Sequence, residues 1–189
     1  MKKFDLNPEM SQFHQFDLST ATLHSNDDYG TLKLLSDKAI TAGDYVTCSF
    51  EYTVGRKSLR RGARIQLFTD SDSDWARPQV SDPSALDYFL VEAPGHVRIY
   101  PHIVDHRGVS IRLASGELAS GEKIRLTLGD TSGGGGGTRC QTFYESVMNF
   151  YCSVDHEGNG KARVLENYVQ IRIMGGALER VSMHVPADI

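Results

Sequence analysis

Val46-Thr47-Cys48-Ser49-Phe50-Glu51-Tyr52-Thr53-Val54 alternates apolar and polar residues without a break. Successive side chains of an extended chain point to opposite faces. Val46, Cys48, Phe50, Tyr52 and Val54 therefore share one face, and Thr47, Ser49, Glu51 and Thr53 the other. Ala42-Gly43-Asp44 and Gly55 flank the run with residues that turn a chain. The segment reads as a strand with one buried and one polar face, and such a strand needs a second apolar layer to cover it.

The same period recurs outward from it. Ile65 and Leu67 follow Gly62, Leu86 to Glu92 form a further run, and Val109, Ile111 and Leu113 lead into Ser115-Gly116-Glu117. Ile124, Leu126 and Leu128 end at Gly129-Asp130; Met148, Phe150, Cys152 and Val154 end at the turn Asp155 to Gly160. Val169, Ile171 and Ile173 precede Gly175-Gly176, and Val181, Met183 and Val185 precede Pro186. Short alternating runs punctuated by Gly, Asp, Ser and Pro predict an all-β fold, a single antiparallel β-sandwich of jelly-roll or immunoglobulin-like type. Helical character is expected only as a turn or two near Pro83 to Leu86 and near Gln141 to Ser146. Residues 1–40 lack the alternation and read as an irregular N-terminal arm packed on the sandwich domain of residues 41–189, with Phe4, Phe13 and Phe16 as its anchors.

A chain of 189 residues is the size of one domain, and 40% hydrophobic with 23% charged residues is ordinary globular usage. Lys and Arg number 20 against 24 Asp and Glu, a net charge of −4 without a basic cluster, so nucleic acid is not an expected partner. Met1 to Leu18 carries Asp5, Pro8 and Glu9 where a secretory signal needs an apolar stretch, and no run approaches the length of a membrane helix. Cys48, Cys140 and Cys152 are odd in number and lack close spacing, which favours reduced, buried thiols and a cytoplasmic location over disulfides or structural zinc. No metal or other cofactor is expected.

Three further segments stand out: Trp75-Ala-Arg77-Pro78-Gln79, then Gly129-Asp130 before the glycine run Gly133 to Gly137, then Arg139-Cys-Gln141-Thr142-Phe143. In this order they resemble the N-terminal β-sandwich region of a large bacterial family of unknown function, whose downstream domain is similar to PHP-type metal-dependent phosphoesterases. The resemblance covers about residues 40 to 185. The chain lacks an Asp-Leu-His-x-His type metal motif. The resemblance thus implies the sandwich alone, as a subunit beside a catalytic partner, a binding module, or a small enzyme with chemistry acquired on the scaffold, and the family's hydrolytic chemistry does not carry over.

The glycine run is not a Walker loop, because Thr138-Arg139-Cys140 follows it in an all-β context. It reads as a conformational loop, with Asp130 and Arg139 expected to bridge its base; the functional alternative has it covering a ligand whose anionic group meets Arg139. The densest set of reactive residue types lies between His96 and His106. Val97, Ile99 and Ile103 form an apolar face there, while His96, Arg98, Tyr100 and His102 form a polar one. Tyr100 and His102 are the candidate acid/base pair and Arg98 a candidate anion anchor. His102 and His106 are four apart on a strand, roughly 13 Å, too far for one metal ion unless a bulge at Pro101 folds them together. Trp75 and Arg77 are candidate ligand contacts, by stacking and by charge. Asp70, Asp72 and Asp74 lack the Gly and Glu of a calcium loop and read as solvated acids.

The leading expectation is a stand-alone accessory or ligand-binding module that associates with a second copy, a catalytic partner protein or a small polar or anionic molecule. The alternative is a small cofactor-independent hydrolase, lyase or isomerase acting on a polar small molecule, built on Arg98, Tyr100 and His102 with Trp75, Arg77 and Arg139 at the rim; Asp130 is a candidate ligand contact.

Overall fold

A computed structural model describes residues 22–69, 73–104 and 108–177. In chain order the elements are β1 (Leu23–His24), α1 (Asn26–Tyr29), β2 (Thr31–Leu34), β3 (Ala39–Thr41), β4 (Tyr45–Val46), β5 (Cys48–Thr53) and β6 (Arg64–Thr69). They continue as β7 (Phe89–Glu92), β8 (Arg98–Ile103), β9 (Gly108–Ser115), β10 (Lys123–Leu128) and β11 (Thr138–Arg139). The last are β12 (Glu145–Asp155), β13 (Arg163–Leu165) and β14 (Val169–Met174). The fold is an all-β sandwich. Its smaller sheet runs β2-β5-β10-β7; its larger runs β1-β13-β12-β6-β9-β8, with β14 paired to β12 and β3 to β14. β4 and β11 form a separate short pair. Most pairings are antiparallel, but β1 lies parallel to β13 and β3 parallel to β14.

The deciding stretch is β5 and its flanks. Cys48, Phe50, Tyr52 and Val54 are buried, and Leu126 of β10 sits opposite Phe50 in register. From the larger sheet Leu67, Ile111, Phe150 and Cys152 complete one continuous core, with the rings of Phe50 and Phe150 5.1 Å apart. Burying each such side chain is worth about 1.5–3 kcal/mol relative to exposure. The polar face of the larger sheet is not uniformly wet. Gln66 stands opposite Ser110 on one side and Ser153 on the other, all three are buried, and Ser153 Oγ donates to Gln66 Oε1 at 2.8 Å.

Two local expectations are corrected. The run expected as a strand from Leu86 starts only at Phe89, because Asp87 takes a positive φ of 63° and turns the chain. The helical turns expected at Pro83 to Leu86 and Gln141 to Ser146 are non-helical turn and the start of β12; α1 is the only α-helix among the described residues. In the first of these, the Asp82 carboxylate takes the Ser84 N–H and hydroxyl and fixes a tight turn instead.

Residues 22–40 enter the sheets themselves through β1, β2 and β3. Residues 1–21 and 178–189 lie outside the described residues, and with them Phe4, Phe13, Phe16 and the run Val181, Met183 and Val185. All three cysteines are unpaired and buried. No helix among the described residues is long and apolar enough to cross a membrane.

Candidate functional site

Arg98, Tyr100 and His102 project from β8, the edge strand of the larger sheet, and all three are exposed, Tyr100 by 57%. Ile99, Pro101 and Ile103 between them are half-buried, as the alternation requires. Across the ladder Tyr100 faces Arg112 and His102 faces Ser110. Residues two apart on a strand are separated by roughly 6.5–7 Å of backbone, so Tyr100 and His102 stand side by side without a hydrogen bond. Neither lines the apolar cavity nor the surface groove described below. Asp105 and His106 lie outside the described residues.

The three motif segments, far apart in sequence, do meet, at the end of the sandwich where β10 finishes and β12 starts. Gly129 follows β10 with φ +68°, and a Cβ there would collide with Thr138 N and Val46 O, so only glycine lets the returning chain pass. A Cβ on Gly133 would likewise strike Pro83. Gly133, Gly135 and Gly136 thus pack closely on residues 83–86 and Gly137 on residues 45–46, while Gly134 has open space around it.

Polar contacts lock this cap. Arg139 Nη2 donates to the Asp74 carbonyl at 2.9 Å, Nη1 lies 3.6 Å from the Asp74 carboxylate, and Ala76 N donates to the Arg139 carbonyl at 3.0 Å. The two Asp74 oxygens accept from Thr142 N at 2.8 Å and Thr142 Oγ1 at 2.7 Å. These Thr142 bonds chiefly, and the Arg139 charge after them, hold the Asp74 carboxyl below its ordinary range. Asp87 Oδ1 takes Thr138 Oγ1 and Arg139 N, while Gln79 N donates to the Asp87 carbonyl.

The expected Asp130–Arg139 bridge is therefore replaced. Arg139 turns to Asp74, and Asp130 accepts from Ser132 within its own turn. Asp74 is a joint between two loops rather than a solvated acid; Asp70 and Asp72 lie outside the described residues. Trp75 points inward, 5% exposed and edge-on to Phe150 at 6.0 Å, so its ring is not open to stack a ligand. Arg77 is exposed. Asp74 and Asp87 escaped the sequence reading as joints. Their partners stand 68 and 51 residues away, and only the Asp-rich, turn-forming context hinted at them.

Two cavities among the described residues bear on binding. Beneath Trp75, Leu67, Pro78, Val109, Leu128 and Met148 line an apolar space of about 20 Å³, room for one water and no substrate. On the outer side of the smaller sheet, Glu51, Glu92, Glu122, Lys123 and Arg125 line an open groove of about 430 Å³. Lys123 pairs there with Glu51 at 2.7 Å and Arg125 with Glu92 at 3.8 Å, while Glu122 lies 3.3 Å from His96 Nε2. Around the cap, by contrast, apolar side chains face solvent. Tyr45 is 53% and Tyr144 63% exposed, with Leu86, Phe143 and Val147 also exposed.

No family model matches the chain, and no curated protein matches it. Among solved structures it is similar to the cohesin module of a family 33 glycoside hydrolase from Clostridium perfringens, with a TM-score of 0.45, 10% identity, and coverage of 79% of this chain and 99% of that one. AvmM, which catalyses macrocyclization in alchivemycin A biosynthesis, aligns with a TM-score of 0.42 and 14% identity over 85% of this chain and 95% of its own. AggA, the major subunit of the aggregative adherence fimbriae type I of Escherichia coli, gives a TM-score of 0.39 and 12% identity over 82% and 99%.

Proposed function

We propose that the chain is a non-catalytic binding module whose capped end docks an apolar surface of a catalytic partner protein. One observation carries this reading: Tyr45, Leu86, Phe143, Tyr144 and Val147 are exposed on a loop cap that is itself held rigid. Tyr45 pairs with Arg139 across β4 and β11, and Phe143 follows the Thr142 that Asp74 holds. Leu86 lies against Gly136, and Val147 sits in the β12 irregularity between Glu145 and Met148. Exposed aromatics on a pre-ordered scaffold lose little freedom on binding, which is what an interaction surface needs. The same cap contains the three motif segments, in keeping with the accessory role implied by the resemblance. Three buried thiols support a cytoplasmic setting.

The test is site-specific photo-cross-linking in cells that naturally make the protein, with a photoreactive phenylalanine at position 144, 45 or 100. The docking reading expects one discrete adduct from positions 144 and 45, its partner identified by mass spectrometry, and none from 100. Turnover of a small polar substrate by the isolated chain, abolished by Tyr100→Phe or His102→Ala, would replace it with the enzyme reading.

A further inference from the structure

At the other end of the sandwich, β1, α1, the loop after β5, the turn after β12 and β13 converge on Tyr29. Its ring is buried and flanked edge-on by His24 at 5.4 Å and His156 at 5.6 Å between centroids. Lys57 Nζ donates to its hydroxyl at 2.8 Å and stands 4.4 Å from the ring centroid. Arg163 stands close enough to His24 for its charge, with that of Lys57, to disfavour a proton there.

These cations are unusual in this molecule. Four Lys or Arg side chains are half-buried among the described residues: Lys57, Arg64, Arg139 and Arg163. Arg139 pairs with Asp74, and Arg64 is also engaged. Lys57 and Arg163 form no ion pair among the described residues. Arg163 Nε and His156 Nδ1 are buried and meet no hydrogen-bond partner. The acids nearby are committed elsewhere. Asp28 pairs with Arg56 at 2.8 Å, and Glu166 accepts from Asn26 N. The Asp155 carboxylate accepts three backbone N–H groups, from Gly158, Asn159 and Gly160. Glu157 takes the Asn159 amide and lies 3.6 Å from His156 Nε2, on the ring edge away from Nδ1.

We propose that this end of the sandwich binds a phosphate group through Lys57, Arg163, His24 and His156. Two fixed positive charges and two imidazoles match a dianion, and a tetrahedral oxyanion offers enough acceptor oxygens for donors arriving from four segments, where a carboxylate offers two. The site lies away from the cap and stands or falls independently of the docking reading. Its natural source is either free phosphate or a phosphomonoester.

The test is NMR of histidine-labelled full-length protein, following each imidazole against pH as inorganic phosphate or phenyl phosphate is added at constant ionic strength. Binding raises the His24 midpoint by about 0.5 unit or more, because an adjacent anion favours the protonated ring. His96 and His102, outside the cluster, stay put. Lys57→Met and Arg163→Gln each raise the saturating concentration roughly tenfold, the loss of one charge-assisted contact. Unlike Arg163→Gln, Lys57→Met leaves no buried unpartnered nitrogen's site to refill, so it serves if the former fails to fold. Tighter saturation by phenyl phosphate assigns a phosphomonoester, and tighter saturation by inorganic phosphate the free ion. Equal movement of the rings in sodium chloride, or variants that saturate as the parent does, overturns the proposal.

Discussion

At the capped end, Arg139 meets Asp74, Asp74 meets Thr142, and Asp87 meets Thr138, so the charged groups between the loops find partners, although Trp75 Nε1 and Gln141 Oε1 stay buried without one. At the opposite end, Lys57 donates to Tyr29, neither it nor Arg163 has an ion pair among the described residues, and His156 Nδ1 and Arg163 Nε stand buried without partners. Both ends are made of turns between strands, with glycines at tight passages. The difference lies in where the carboxylates were placed. An end whose cation is paired resists motion and presents its apolar exterior; an end whose cations lack an acid keeps positive charge in reserve for something from outside.

The most damaging way to break the contrast is to unlock the cap. Gly129→Ala places a Cβ into backbone atoms at a positive φ, and we expect a loss of at least about 3 kcal/mol in denaturant unfolding. Amide exchange should quicken in residues 129–143 before it does near Tyr29. If both ends quicken together, they are one cooperative unit and the comparison loses its dynamic meaning.

Alkali is the next lever, and it acts near the cap. Burial pushes the Cys48 thiol up to about 12 from an ordinary 9.0, and burial raises Cys140 as well. As pH rises past 9.0 the unfolded chain gives up its protons first, so stability falls through that window. Cys48 alone accounts for about 2–3 kcal/mol by pH 11. Cys48→Ala should flatten that slope in unfolding curves at pH 9 to 11.

At the other end, Asp155→Ala removes the carboxylate acceptor of three part-buried backbone N–H bonds. It should cost about 2 kcal/mol, with exchange rising first in residues 155–160. Asp74→Ala removes a more exposed joint and should cost about 1 kcal/mol. Its effect is read as added proteolytic nicking between residues 74 and 79.

The mildest effect comes from acid. Burial first, then Arg163 and Lys57, hold His24 below its ordinary 6.5. The unfolded chain takes that proton first, so the stability present above pH 6.5 is lost as pH falls through the folded value. The Asp74 joint survives until pH drops below its ordinary 3.8. Thermal unfolding at pH 7 and pH 5.5 should therefore separate less in His24→Gln than in the parent chain.

The strands carrying the core were legible because alternation is a local property: Phe50 and Tyr52 announce their face within five residues. β1, β4 and β11 hold two residues each, too few to show any period. The site was legible only where chemistry and sequence proximity coincide, and on a sheet they rarely do. His96 to His102 looked dense on the page, yet an extended strand spreads such residues along an open edge. His24, Tyr29, Lys57, His156 and Arg163 are scattered over the chain and gathered only by the pairing of β1 with β13 and the turn after β12. Arg139 teaches the same lesson in small: its partner lies 65 residues away at Asp74, not nine away at Asp130.

The parallel pairing of β1 with β13 also sets a timetable. Leu23 leaves the ribosome long before its partner Val164 exists, and at about 5–20 residues per second the wait is roughly 7–28 s. The smaller sheet has all four strands once residue 128 has emerged. The larger one must hold Leu23 and Ile40 unpaired until β13 and β14 arrive. During that interval the nascent chain carries a half-built sandwich with an apolar face open, a natural client for a holding chaperone. Premature termination before residue 163 leaves that face without the strands that close it.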